Sequence, residues 1–302
     1  MTLTDEILKL KREKKAIILA HNYQRPEIQD IADYVGDSIE LSRRAKEEKA
    51  AKIIVFSAVD FMAESAAILN PEKKVLLPSR GARCPMAQML RADEVRRWRR
   101  KYPKVPVLLY VNTLAEVKAE CDICCTSANA IKVVNALDSD TILFGPDHNL
   151  ALYVQKKTDK KIIPMPERGF CPTHVLFQKG DILLLKEEHP DAVVIVHPEC
   201  TLDVQEVADY IGSTSQMCRY AKELPAKKFI IGTEGGLLHR LRKENPDKEF
   251  ILAYKDAVCP NMKLNTLERI YMALKEEKFQ VTVPRPIAKK ARKALERMFA
   301  VT

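Results

Sequence analysis

The chain has 302 residues, 46% of them hydrophobic and 30% charged, and 50 Lys and Arg against 41 Asp and Glu give a formal net charge of +9. No apolar stretch approaches the length of a membrane span, and eight cysteines with no secretory leader fit thiols or metal ligands in a reducing cytoplasm rather than disulfides. The basic balance favours anionic partners, but its densest clusters, Arg96-Arg97-Trp98-Arg99-Arg100-Lys101 and Lys289-Lys290 with Arg292-Lys293, read as solvated helix faces. No nucleic-acid recognition motif accompanies them.

Length alone would suggest two domains. The pattern along the chain points instead to three. Residues 4–15 form a charged amphipathic helix. Apolar runs then open three units at 16–20, 107–109 and 193–196, and each ends in polar residues: His21-Asn22-Tyr23, Tyr110-Val111-Asn112 and His197-Pro198-Glu199. Segments 28–38, 117–127 and 204–214 read as helical, the first and third being close copies. A hydroxyl residue, Ser38, Ser127 or Thr214, follows 17 residues after His21, Tyr110 and His197 respectively. Second apolar runs lie at 53–56, 142–144 and 229–231, and third runs at 75–77, 162–163 and 250–252. Each unit then reaches a Cys-Pro pair, Cys84-Pro85, Cys171-Pro172 and Cys259-Pro260, spaced 87 and 88 residues apart.

Self-similarity at a fixed period means a repeated structural unit. Short continuous apolar runs alternating with helical segments read as β-α-β units whose sheets are covered on both faces. The expected fold is α/β: three homologous three-layer αβα modules with parallel sheets around a pseudo-threefold axis. The modules are expected at 1–102, 103–190 and 191–278. A tail, 279–302, reads as a short strand, a turn at Pro284 and Pro286 and a basic amphipathic helix that returns to the first module.

Threefold repetition brings Cys84, Cys171 and Cys259 towards one axis. Thiolates are soft ligands, and three of them match a tetrahedral zinc or a 4Fe–4S cubane with one position open to substrate. A lone cysteine is more simply a buried apolar filler, but that explains three in-phase pairs poorly. The rival C-x-x-C at Cys121 and Cys124 aligns with Ala32/Val35 and Ala208/Ile211, read as buried helix positions, so these cysteines are expected in the core.

The other in-phase sets form a polar ring at strand ends, where doubly wound sheets bind ligands. Ser38, Ser127 and Thr214 read as N-caps of helices whose positive ends suit carboxylates and phosphate. Glu199 is the only carboxylate in the strand-end sets and, beside His197, the natural general acid/base. Tyr23 and Tyr110 can relay protons and orient substrate. His174, three residues after Cys171, is expected near the metal in a supporting or phosphate-contacting role.

Several longer stretches carry a resemblance over essentially the full length: Phe61-Met62-Ala63-Glu64, Tyr110-Val111-Asn112-Thr113, Cys125-Thr126-Ser127-Ala128-Asn129-Ala130, Gly145-Pro146-Asp147-His148-Asn149-Leu150, His197-Pro198-Glu199-Cys200 and Cys259-Pro260-Asn261-Met262-Lys263. With them the chain resembles the quinolinate synthases, iron–sulfur enzymes of NAD biosynthesis. The resemblance implies a 4Fe–4S cluster on Cys84, Cys171 and Cys259. It implies condensation of iminoaspartate with dihydroxyacetone phosphate to quinolinate, phosphate and water, with the open iron as Lewis acid. An aspartate-oxidising enzyme would supply the iminoaspartate. In that chemistry Glu199, His197, Tyr23 and Tyr110 are the expected catalytic residues. His21, Ser38, Ser127 and Thr214 would hold carboxylates, Tyr23, Tyr110 and Asn112 the three-carbon substrate, with His174 and His197 as further contacts. Some members of the family carry C-x-x-C-x-x-C at the last cysteine; Met262 takes the second place here, so disulfide regulation tied to that run is expected to be absent. The residues alone also allow another open-iron hydro-lyase, or a non-catalytic zinc or nucleic-acid-binding protein, although the polar ring argues against the latter.

Overall fold

In the computed structural model, which describes residues 2–301, twelve strands form three four-stranded sheets. The first contains Ala16–His21 (β1), Tyr34–Gly36 (β2), Ile53–Ser57 (β3) and Lys74–Leu76 (β4) in the order β2-β1-β3-β4. The second contains Val107–Tyr110 (β5), Ile123–Cys125 (β6), Thr141–Gly145 (β7) and Lys161–Pro164 (β8) in the order β6-β5-β7-β8. The third contains Val193–Val196 (β9), Tyr210–Ile211 (β10), Lys228–Gly232 (β11) and Glu249–Leu252 (β12) in the order β10-β9-β11-β12. Every pairing within the sheets is parallel. The inner strands are buried nearly throughout, as expected of sheets covered on both faces. The three-module αβα architecture read from the repeat is thus present.

The segments read as continuous helices are each broken. A short helix, Pro26–Ile31, Ala115–Lys118 or Leu202–Glu206, is followed by an edge strand, β2, β6 or β10. An aspartate fixes each break. Asp33, Asp122 and Asp209 donate their N–H to the carbonyls of Ile18, Val107 and Val194, each at 2.9 Å. Their carboxylates accept the N–H of the same residues, each at 2.8 Å. That double bond to the neighbouring strand outcompetes helix continuation. Cys124 consequently lies in β6 and Cys121 in the turn before it, not in a helix; their sulfurs are 3.8 Å apart, and Cys124 is buried in the main core.

The helix after each cysteine packs on the next sheet. Val95 and Trp98 of Ala92–Lys101 join Val107 and Leu109. Ile182 of Lys179–Glu188 joins Val194, Val196 and Ile230. Ile270 and Leu274 of Leu267–Glu276 join Ile18, Ala20, Ile53 and Val55, which closes the ring. Val95, Ile182, Ile270 and Leu274 are buried, and each such side chain stabilises by about 1.5–3 kcal/mol.

The tail makes one antiparallel bridge, Gln280 to Leu76, rather than a strand. Its helix begins at Arg285, so Pro286 sits in the first turn, where a missing N–H costs nothing. That helix reaches the first module through Arg292, which donates to the Ile68 carbonyl, and the second through Arg297, which donates to that of Asp122. Lys289, Lys290 and Lys293 are exposed. In the other basic cluster Arg96 pairs with Glu120 and Arg99 with Asp122. Among the described residues, no helix is long and apolar enough to cross a membrane.

Candidate active site

Equivalent residues of all three modules converge on a cavity of about 130 Å³. Its walls include Cys84, Cys171 and Cys259, the strand-end residues His21, Tyr23, Tyr110, Asn112, His197 and Glu199, the hydroxyls of Ser38, Ser127 and Thr214, and His174. Parallel sheets of one topology, repeated, place the carboxyl ends of three central strands around one space. Val59, Phe61, Met62, Met86 and Met262 supply apolar wall.

Glu199 is the hub. The Tyr110 hydroxyl donates to its Oε1 at 2.6 Å, and His174 Nδ1 lies 2.7 Å from its Oε2. His174 Nε2 is 2.9 Å from the Thr233 hydroxyl, which in turn is 2.6 Å from the Tyr23 hydroxyl. His197 stacks on His174 with ring centroids 4.6 Å apart. Burial alone would raise the Glu199 carboxyl. His197, His174 and the bonds from His174 and Tyr110 outweigh that, and hold it below the usual carboxylate range. Burial, then the Glu199 charge, pushes the Tyr23 and Tyr110 phenols well above the ordinary tyrosine value. Both therefore keep their protons.

His21 and His197 are set identically. Nδ1 of each accepts a backbone N–H two residues on, from Tyr23 at 3.2 Å and from Glu199 at 3.3 Å. Burial lowers each imidazole to about 3, so both are neutral and carry the proton on Nε2. Each can donate one hydrogen bond to a ligand.

The hydroxyls sit one step away from the expected caps. Asp37 caps the helix Ser38–Glu47, accepting from Ile39 and Glu40, and Ser213 caps Thr214–Glu223, accepting from Gln216. Ser38 and Thr214 are therefore first residues of their helices, and Ser127 lies two before Asn129, the residue at the cap of Ala130–Ala136. A cap needs a side chain that folds back on N–H groups two or three residues ahead; Asp37 and Ser213 do this, which leaves the neighbouring hydroxyls to the cavity. The Ser213 hydroxyl donates to Asp37 at 2.9 Å, tying the two caps across the boundary between modules. Asp37, Ser213 and Thr233 escaped the sequence reading, although the first two merely precede the marked hydroxyls.

The cysteines share a local geometry. Each precedes a 3₁₀ turn, Met86–Gln88, His174–Leu176 or Met262–Leu264. The N–H groups of Ala87, His174 and Met262, each three residues on, are directed at the sulfurs of Cys84, Cys171 and Cys259. Thiolates sharing one tetrahedral zinc lie about 3.8 Å apart. The ligand atoms of Cys171, His174 and Glu199 all lie within 4.8 Å of one another. A cubane takes one thiolate per iron at separate corners, and the three thiols, brought to the cavity by three separate loops, offer one such ligand each.

The family model for quinolinate synthetase A protein matches residues 5–300. The chain belongs to the quinolinate synthase family. It is 56% identical over 300 residues to the quinolinate synthase of Methanothermobacter thermautotrophicus, covering 99% of this chain and 98% of that one. It is 53% identical over 302 residues to that of Pyrococcus horikoshii, covering all of both chains. With that of Thermotoga maritima it shares 52% identity over 297 residues, 98% of this chain and 99% of that one. Membership of the quinolinate synthase family runs through all three modules, and so through every wall of the cavity.

Proposed function

We propose that this chain is a quinolinate synthase that condenses iminoaspartate with dihydroxyacetone phosphate, releasing phosphate and water. A 4Fe–4S cluster on Cys84, Cys171 and Cys259 would supply, at its iron without a protein thiolate, a Lewis acid for a substrate oxygen. The observation that carries the reading is the convergence of three in-phase thiols and the Glu199 network on one cavity, in a chain of this family.

The residues present suit the chemistry. Glu199 is ionised and in contact with two donors, so it can take a proton from carbon during enolisation and return it to a departing hydroxyl. Tyr110 stays protonated and steadies the carboxylate. His174, Thr233 and Tyr23 continue the hydrogen-bonded chain from the other carboxylate oxygen. His21 and His197 offer Nε2–H to anionic oxygens. The Thr214 hydroxyl accepts from Asn22 Nδ2 at 2.8 Å, which leaves its own proton to donate. The N-termini of the helices at Ser38 and Thr214 add positive potential for carboxylates. The apolar wall excludes water, which protects an imine from hydrolysis. We place this activity in the cytoplasm, fed by an aspartate-oxidising enzyme, because iminoaspartate is unstable in water.

The test is anaerobic purification with iron and sulfide counts, then quinolinate formation from the two substrates. About four irons per chain and stoichiometric release of phosphate are expected. A colourless protein, or turnover without phosphate release, would reject the reading.

A further inference from the structure

The backbone around each cysteine is held by a loop further upstream: a backbone bond to the carbonyl two residues before the cysteine recurs three times, and in the first and third modules a carboxylate oxygen also accepts the cysteine N–H. In the first module the Asp60 N–H donates to the Ala82 carbonyl at 2.8 Å, and the Cys84 N–H donates back to Asp60 Oδ1 at 3.0 Å. In the third the Gly235 N–H donates to the Ala257 carbonyl at 2.9 Å, and the Cys259 N–H donates to Glu234 Oε1 at 3.1 Å. In the second the His148 N–H donates to the Gly169 carbonyl at 2.7 Å and the Cys171 N–H faces the Asp147 carboxyl, whose Oδ2 is buried without a hydrogen-bond partner.

Asp60, Asp147 and Glu234 precede their cysteines by 24, 24 and 25 residues. The acid one residue further back is the glutamate, whose extra methylene spans the difference. The residue two before each cysteine is small: Ala82, Gly169 and Ala257. A Cβ on Gly169 would lie 1.9 Å from the Pro146 carbonyl oxygen, so the two loops touch there. Asp147 and Glu234 are fully buried, and Asp60 is half-buried. A shielded carboxylate on a peptide N–H is a strong, directional bond. Glu234 also pairs with Lys263 Nζ at 2.9 Å, and Lys263 donates to the Tyr23 carbonyl. This links the third cysteine loop to the first module's strand end.

We propose that Asp60, Asp147 and Glu234 are positioning residues for the cluster, one for each thiolate. Asp60 and Glu234 hold the backbone N–H groups of Cys84 and Cys259 before metal arrives and add negative charge around the group once it is bound, whereas burial and then the Glu199 charge push the Asp147 carboxyl well above its ordinary value, so its part is to position the Cys171 loop. The proposal rests on the cluster reading above. Carboxylates behind metal ligands commonly contribute 10–100-fold to metal retention, and added negative charge lowers a cluster's reduction potential.

The variants are Asp60→Ala, which removes the acceptor, and Asp60→Asn, which keeps an oxygen for the Cys84 N–H without the charge. In metal-free protein, amide hydrogen exchange at Cys84 should accelerate at least tenfold in Asp60→Ala and stay near wild type in Asp60→Asn. After anaerobic reconstitution, Asp60→Ala should lose iron to a chelator roughly 10–100-fold faster than wild type. Asp60→Asn should retain iron while its reduction potential becomes more positive. Wild-type exchange and iron retention in Asp60→Ala, or an unmoved potential in Asp60→Asn, would overturn the proposal. Should Asp60→Ala not fold, Glu234→Gln carries the same test at Cys259: normal exchange with a raised potential is expected, and an unmoved potential overturns it. If wild-type protein takes up no iron, the cluster reading fails and this proposal falls with it; wild-type iron with indifferent variants removes the proposal alone.

Discussion

The Tyr110 hydroxyl donates to Glu199 across 2.6 Å, joining the end of β5 in the second module to the loop after β9 in the third. The surroundings of Glu199 are thus assembled from different repeats, Tyr110 and His174 coming from the second module. Glu199→Gln keeps size and most hydrogen bonding but cannot exchange a proton near neutral pH. The variant should keep its iron and its affinity for dihydroxyacetone phosphate and lose about 10²–10⁴-fold in single-turnover quinolinate formation. Weaker affinity with a normal rate at saturation would make Glu199 a binding group instead.

The eight cysteines should divide by position rather than by local motif. Alanine at Cys84, Cys171 or Cys259 should abolish iron binding, because each removes one of the three proposed ligands from the cavity wall. Alanine at Cys121 or Cys124 should leave the iron count normal, since these sulfurs face each other 3.8 Å apart away from the cavity wall. Normal iron in Cys84→Ala, or its loss in Cys121→Ala, would require another ligand set.

What the sequence made legible is what recurs at a fixed period. The three cysteines, the strand-end residues and the hydroxyls all stood in phase, and all line the cavity. Features whose signal is only two or three residues long were lost. β2, β6 and β10 are too short to interrupt a helical pattern, and the aspartates that create them act through bonds to a strand 15 residues back. The caps at Asp37 and Ser213 hid beside more conspicuous hydroxyls. Thr233 has no counterpart in the other modules: Ala58 and Pro146 precede or adjoin the equivalent acids, so symmetry could not reveal it.

His21 gives the acid response a sign. Burial lowers its imidazole to about 3, against an ordinary value of 6.5. Between those values the unfolded chain binds a proton that the folded chain refuses. Its contribution to stability is therefore intact above pH 6.5 and declines as pH falls towards 3. One such group gives a slope of about 1.4 kcal/mol per pH unit inside that window. Urea unfolding at a series of pH values, on wild type and His21→Asn, reads it. The variant should show a shallower acid decline by about one proton; identical slopes would mean that His21 charges freely in the folded state.

Packing of each post-cysteine helix on the next sheet makes the ring a mechanical unit, and one substitution can test this. Ile270 is fully buried between the helix Leu267–Glu276 and the first sheet. Ile270→Ala should cost about 2–5 kcal/mol through lost burial and the cavity left behind. The only tryptophan, Trp98, reports from a different joint, where the helix Ala92–Lys101 meets the second sheet. If the three modules unfold together, Ile270→Ala should move the Trp98 fluorescence transition and the far-ultraviolet circular dichroism transition to the same lower denaturant concentration. A dichroism transition that shifts while the Trp98 transition stays at its wild-type midpoint would show modules that unfold separately. The closed packing would then govern the shape of the cavity but not the stability of its walls.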